Sequence, residues 1–215
     1  MITPADHLGA VTRSLSTTQR DGVEVKRLTA TLTYPTDVAD LWDALTTSAR
    51  IPRWFMPISG DLRIGGRFQL EGNAAGEILT CEPPTHLGIT WEYGGDVSWV
   101  DPTVSGDENS ATVELVHLAP VPPQLWDQFG PGAVGIGWEM GLMGLAEHLS
   151  VHDSAVDPAT AAAWMTSADG LTFITGASKA WGEASIAAGE DPEQARAAAA
   201  RCTAAYTATE EPAQG

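Results

Sequence analysis

Basic side chains are scarce in this chain: 11 Lys and Arg stand against 28 Asp and Glu, a net charge of −17. The shortage is uneven. Eight of the basic residues precede Phe68, and from Phe68 to Ala195 Lys179 alone faces 19 acidic residues. Phosphate backbones and anionic lipid surfaces are bound by Lys and Arg that displace counterions, so nucleic acid and membrane are excluded as partners, and the acidity serves solubility. Cysteine is scarcer still. Cys81 and Cys202 lie 121 positions apart and form no metal-ligand or redox spacing, as expected of free thiols in a reducing, cytoplasmic compartment. No run of about 18 apolar residues occurs, so no helix should cross a membrane. Met1 to Arg20 places Pro4, Asp6 and His7 where a secretory signal needs basic residues and then an apolar run, so residues 1–22 are expected to form a flexible leader.

What is present suffices for a core, since 43% of the residues are hydrophobic and a disordered chain is excluded. Glu24 to Tyr34 alternates as a strand until Pro35. Thr36 or Asp37 caps a helix whose Val38, Leu41, Trp42 and Leu45 make a one-sided apolar stripe. A short second helix is expected over Ser48–Phe55. Strands follow at Arg67–Glu71, Gly76–Cys81, Leu87–Tyr93, Asp96–Val100 and Ala111–Leu118. Gly94-Gly95 supplies the positive φ of a tight hairpin between two of them, Ser105 to Asn109 forms a polar turn, and consecutive hairpins imply an antiparallel meander. After a Pro-rich loop, Gly130-Pro131 opens a helix to about Ser150. The Ala-rich tail is helical, with Phe173, Ile174, Ala177 and Trp181 on one face and a helix start at Asp191-Pro192-Glu193-Gln194. Glu210 to Gly215 should fray.

Aromatic residues punctuate this framework: Trp42 in Asp40–Thr46, Trp54-Phe55 after Pro52-Arg53, Phe68 after Gly65-Gly66-Arg67, Trp91 in Ile89-Thr90-Trp91-Glu92, and Trp138 after Gly137. With Tyr34-Pro35, Cys81-Glu82-Pro83-Pro84 and the Gly-Trp pair of the long helix, these motifs resemble the START-like, helix-grip superfamily. Within it they resemble the family named after activators of the heat-shock-protein-90 ATPase. The resemblance covers about Val23 to Ser150. The tail, with Ala180-Trp181-Gly182-Glu183-Ala184 and Ala188 to Pro192, resembles the extension of bacterial members. It implies an α+β fold in which a curved antiparallel sheet wraps a long C-terminal helix around an apolar cavity. Residues 23–152 would form that domain and 153–215 a helical extension. The function implied first is non-catalytic binding of a small hydrophobic molecule without cofactor. Alternatives are a co-chaperone or stress-response regulator with a chaperone as partner, and a polyketide-cyclase-like enzyme. The separate N-terminal chaperone-binding domain of the activators has no counterpart in these residues. The chain is expected to be a monomer or homodimer.

The cavity lining expected from these motifs is Trp42, Trp54, Phe55, Phe68, Trp91, Trp99, His117, Gly137, Trp138 and Gly141. Aromatic walls with few polar groups suit an apolar ligand, although each ring equally suits a core. His117 shares a strand face with Val113 and Leu115, and if inward it joins Glu139 as a polar anchor. Gly132, Gly135, Gly137, Gly141 and Gly144 lie in one helix, where each costs roughly 1 kcal/mol relative to Ala. Either close packing or ligand space must offset that. Other patterns carry nothing. His148 and His152 lack the Glu of a zinc-peptidase motif and a third ligand. Gly176-Ala177-Ser178-Lys179-Ala180 lacks the second glycine and the strand-turn-helix of a nucleophile elbow. Gly65-Gly66-Arg67 precedes a strand, without the helix N-terminus that holds phosphate. No metal, nucleotide or catalytic residues are expected.

Overall fold

The computed structural model describes residues 3–151 and 157–208. A helix, α1 (Pro4–Ala10), leads into β1 (Thr12–Arg20) and β2 (Val23–Tyr34). Then come α2 (Val38–Thr46), a single 3-10 turn at Ile51–Arg53, β3 (Ile58–Gly60), β4 (Arg67–Leu70), β5 (Ala75–Glu82), β6 (His86–Tyr93), β7 (Asp96–Gly106) and β8 (Ala111–Ala119). Five helices close the described chain: α3 (Pro123–Phe129), α4 (Gly132–Ser150), α5 (Pro158–Met165), α6 (Ala168–Ala187) and α7 (Pro192–Thr207). The strands form one antiparallel sheet in the order β1-β2-β8-β7-β6-β5-β4-β3. The sheet curves around α4 as the helix-grip fold requires.

The expected leader is instead structured. Asp21 and Gly22 both have positive φ, 52° and 80°, the conformation of a two-residue hairpin turn. They pair β1 to β2 from Arg20↔Val23 out to Thr12↔Thr31. Thr3 caps α1 through its hydroxyl, which accepts from the Asp6 amide. His7 on that helix is buried. Charge ties this arm to α4. Glu139, on α4, has no solvent exposure, and Arg13 of β1 grips it through Nε at 2.6 Å and Nη2 at 2.5 Å. The Arg13 Nη1 donates to the carbonyls of Leu8 and Val11, tying α1 to the same point.

Other boundaries move for local reasons. Asp37 is the cap of α2, its Oδ1 accepting from the Asp40 amide at 2.7 Å. The second short helix contracts to the 3-10 turn at Pro52. β3 extends the sheet by pairing with β4, and β7 runs on past Val100 to Gly106, with Pro102 opposite Leu115. The Pro-rich loop ends in α3, which begins at Pro123, where the missing amide hydrogen is no loss.

The main core joins Leu28, Leu32 and Tyr34 of β2 to Leu142 and Leu145 of α4 and to Trp181 of α6. The buried Tyr34 hydroxyl donates to the Leu142 carbonyl at 3.1 Å. The apolar stripe of α6 is wholly covered: Phe173, Ile174 and Ala177 pack with Ile136 of α4 and Cys202 of α7. The boundary expected at residues 152–153 and the fraying tail lie outside the described residues.

The glycines of α4 divide by what they face. A Cβ on Gly135 would overlap the Trp181 indole, and one on Gly144 would come 2.5 Å from the Trp54 carbonyl oxygen. These are close approaches of backbone to neighbour. Gly137 meets only the Tyr206 hydroxyl, at 3.8 Å. Gly135→Ala should therefore destabilise the fold, by about 1–3 kcal/mol for overpacking. Gly137→Ala, two residues away, should stabilise it by up to about 1 kcal/mol through helix propensity. Denaturant midpoints of the two variants check the opposite signs, and equal shifts would contradict the packing described here.

Candidate functional site

Seven of the ten expected lining residues gather on the concave side of the sheet. Trp138 projects from α4 and is the hub: its ring stacks on Phe55 at 6.2 Å, meets Trp91 edge-on at 4.8 Å and His117 edge-on at 5.7 Å. Trp54 lies 5.3 Å from Phe55, and its indole N–H donates to the Ala44 carbonyl. Gly141, one turn along α4, admits the Phe55 ring, which a Cβ there would approach to 3.3 Å. Phe68 is buried beneath with Leu70 and Ile78, and Phe55, Met56, Ile89 and Trp91 pack on that cluster. Trp54, Phe55, Trp91 and Trp138 are each only half-buried, so the group forms an aromatic mouth. The Trp138 indole projects into the space between α4 and the sheet, where a cavity was expected. A concavity of about 260 Å³ lies between α6 and α7.

Three of the expected residues lie elsewhere. Gly137 faces Tyr206 of α7. Trp42 packs on the main core with Val38 and Leu45. Trp99 is on the opposite face of the sheet, because the two-residue turn at Gly94-Gly95 sets Trp91 opposite Ser98 and Thr90 opposite Trp99. There the Arg20 guanidinium covers its ring at 4.5 Å and also reaches Asp101 at 3.3 Å. Glu139 is no anchor for a ligand either, since Arg13 engages both of its oxygens.

Sequence reasoning missed Ser98, which turns His117 into part of a directed chain. The Trp138 indole N–H, which can only donate, bonds His117 Nδ1 at 3.0 Å. His117 Nε2 lies 2.8 Å from Ser98 Oγ, and the Ser98 hydroxyl donates to the Trp91 carbonyl at 3.1 Å. The proton is therefore on Nε2 and the lone pair on Nδ1. A serine nucleophile needs a histidine that accepts its proton. Here the histidine donates to the serine, so the pair is a structural relay.

Burial lowers the His117 pKa from 6.5 to about 4. Burial, and then the Arg13 charge, lower that of His7 to about 4 as well. His7 Nε2 is 3.8 Å from Glu139 Oε2, too far to hydrogen-bond to a carboxylate that Arg13 already holds, so His7 is neutral. His148 Nε2 accepts from Arg50 Nε at 3.2 Å, and His152 lies outside the described residues. No group of three metal-ligating side chains occurs among the described residues.

The linkage has a definite sign. Both folded-state values are depressed, so the unfolded chain binds these protons at higher pH than the folded one. The contribution to stability is complete above about pH 6.5 and is lost as pH falls toward 4, at most on the order of 3 kcal/mol for each histidine. Thermal melts at stepped pH should show a plateau above neutrality and a decline below pH 6.5. His117→Gln should flatten that decline while lowering the plateau. A variant with the parent's slope would mean that His117 is solvated.

With this geometry in view, relationships to known proteins can be placed. Residues 35–150, more than half of the chain, match the family described as Activator of Hsp90 ATPase homolog 1-like protein. No curated protein matches. The crystal structure of CalU16 from Micromonospora echinospora is 37% identical over 66% of this chain and 88% of its own, with a TM-score of 0.58. Its solution structure aligns over 92% of this chain and 93% of that one, at 30% identity and a TM-score of 0.61. This likeness extends beyond the residues that the family model matches. DynU16, a protein of the dynemicin biosynthetic locus, is 21% identical over 59% of this chain and 48% of its own, with a TM-score of 0.52, a likeness of fold alone. With the family match covering the sheet and α4, and CalU16 aligning along almost the whole chain, this protein belongs to the Activator of Hsp90 ATPase homolog 1-like family.

Proposed function

We propose that the protein binds a small, largely apolar molecule, without transforming it, at the mouth between α4 and the concave face of the sheet. The observation that carries this reading is the placement of Trp138. A half-buried tryptophan sits among Phe55, Trp91 and His117, anchored by one hydrogen bond, where the fold's interior opens. A ring held mainly by other rings can be exchanged for a ligand's ring at little net change in contact, because aromatic pairs prefer similar offset and edge-on geometries whatever their covalent origin. The wall is apolar with a single convergent polar group, the usual make-up of a site for a hydrophobic ligand.

The test is titration with N-phenyl-1-naphthylamine, an apolar fluorescent probe. It should bind one to one and quench tryptophan emission. Gly141→Leu drives its side chain into the Phe55 ring and should weaken binding at least about tenfold, or 1.4 kcal/mol, whereas Gly137→Ala should leave it unchanged. Undiminished binding in folded Gly141→Leu protein would place the probe elsewhere and overturn this site.

Family membership favours one second reading, regulation of a heat-shock-protein ATPase. The distribution of charge speaks against direct stimulation. Arg13, Arg20, Lys26, Arg27 and Arg67 are engaged by Glu139, Asp101, Glu190, Glu114 and Glu92, which leaves a surface dominated by acid. At saturating protein the host chaperone's steady-state ATPase rate should rise less than about twofold, under 0.5 kcal/mol of barrier. A larger, dose-dependent rise would reverse the order of the two readings.

A further inference from the structure

The polarity of the hydrogen-bond chain behind Trp138 is fixed from its far end. The Trp91 carbonyl can only accept, so the Ser98 hydroxyl donates to it. Ser98 Oγ is then left to accept from His117 Nε2–H at 2.8 Å, and the lone pair must lie on Nδ1. If the indole turns aside, this tautomer keeps both remaining bonds, His117 Nε2–H to Ser98 and Ser98 O–H to the Trp91 carbonyl. The opposite tautomer would give up the second and leave a buried Nδ1–H unpaired, so Nδ1 is favoured as the acceptor. Its surroundings offer little else: His117 is 5% exposed, and its cross-strand neighbours are Leu28 on β2 and Val100 on β7, both buried. The Trp54 indole N–H, another tryptophan donor of the mouth, is engaged by the Ala44 carbonyl.

We propose that His117 Nδ1 selects the ligand of this site for a hydrogen-bond donor: a flat aromatic molecule with a phenolic O–H or an aryl N–H that replaces the Trp138 indole N–H. This rests on the ligand-binding reading given above and adds the chemistry that reading leaves open. A ligand that enters by displacing the indole inherits its obligation. A donor on the ligand restores the bond to Nδ1. An ether oxygen or a bare ring leaves a buried acceptor unpaired, a penalty that amounts to about tenfold or more in affinity. A carboxylate fares worst, because it faces a lone pair with its own. Protonation does not make that atom a donor near neutrality, since burial lowers the pKa to about 4, and the other neutral tautomer would cost the Ser98 bond to the Trp91 carbonyl.

The test uses four probes on one frame at pH 7: 2-naphthol, 2-methoxynaphthalene, naphthalene and 2-naphthoate. Calorimetry gives each Kd on the full-length protein. 2-Naphthol should bind at least about tenfold tighter than the methyl ether and the bare ring, with naphthoate weakest. His117→Phe, which keeps a ring and removes the acceptor, should abolish the preference by weakening 2-naphthol alone. A measurement on the parent protein guards against a variant that does not fold. The ¹⁵N resonance of His117 Nδ1 should keep its unprotonated position and respond to 2-naphthol in a way that the methyl ether does not reproduce. If all the neutral probes bind within about twofold of one another, the site stands and the donor rule is overturned. If none binds, the ligand-binding reading itself falls, and the donor rule with it.

Discussion

A carboxylate placed without access to water needs a fixed counter-charge beside it, and Glu139 has one in Arg13. Much of the architecture can be traced from that pair. Glu139 sits on the helix that the sheet grips, and Arg13 sits on the outermost strand of the same sheet. Their bond therefore sets how far β1 reaches over α4. Because Arg13 also holds the Leu8 and Val11 carbonyls, α1 is drawn in, and His7 comes to rest against Phe173 of α6 at 5.7 Å. The same helix meets Trp181 of α6 through Gly135 and the Trp54-Phe55 segment through Gly141 and Gly144. One helix thus organises three surroundings: an ionic one toward the N-terminal arm, a tightly packed one toward the C-terminal helices, and an aromatic one toward the mouth. The aromatic one is partly open to solvent, at Trp54, Phe55, Trp91 and Trp138.

That division explains why so many glycines are tolerated in α4. Each would weaken an isolated helix, yet Gly135 and Gly144 allow approaches that any side chain would block. The helix is stable because of its neighbours rather than its own propensity. The aromatic side differs in kind. Rings there touch rings, the polar content is one imidazole with its serine, and the hydrogen bonds run in one direction to a backbone carbonyl.

Most helices were legible because their signals are local. The stripe of α2, the proline-led start of α7 and the covered stripe of α6 follow from spacing and caps. The aromatic mouth was legible residue by residue, but its membership was not. Trp99 was misassigned although the sequence holds the correction: counting outward from Gly94-Gly95 puts Trp91 and Trp99 on opposite faces. Ser98, the partner of His117, could have been found by the same count. Gly137 was grouped with Gly141 by residue type, while helical geometry turns it toward Tyr206. The N-terminal arm was missed for a different reason. Thr12–Arg20 contains one large apolar residue, Leu15, so no alternating pattern announces a strand. Its tie to α4 is an ion pair that composition reads only as charge. The Asp21-Gly22 turn was the available sign.

The distance along the chain between Arg13 and Glu139, 126 residues, has a consequence for how the protein is made. The β1–β2 hairpin can close as soon as it leaves the ribosome, since its turn and register are local. Its other neighbour, β8, is synthesised some eighty positions later, and the carboxylate that Arg13 needs comes later still. Until β8 emerges the hairpin has an open edge at β2, and until α4 emerges Arg13 has no counter-charge, so a segment made early is secured late. Folding of this kind is governed by long-range closure, and a nascent chain held before β8 would expose that edge to other chains.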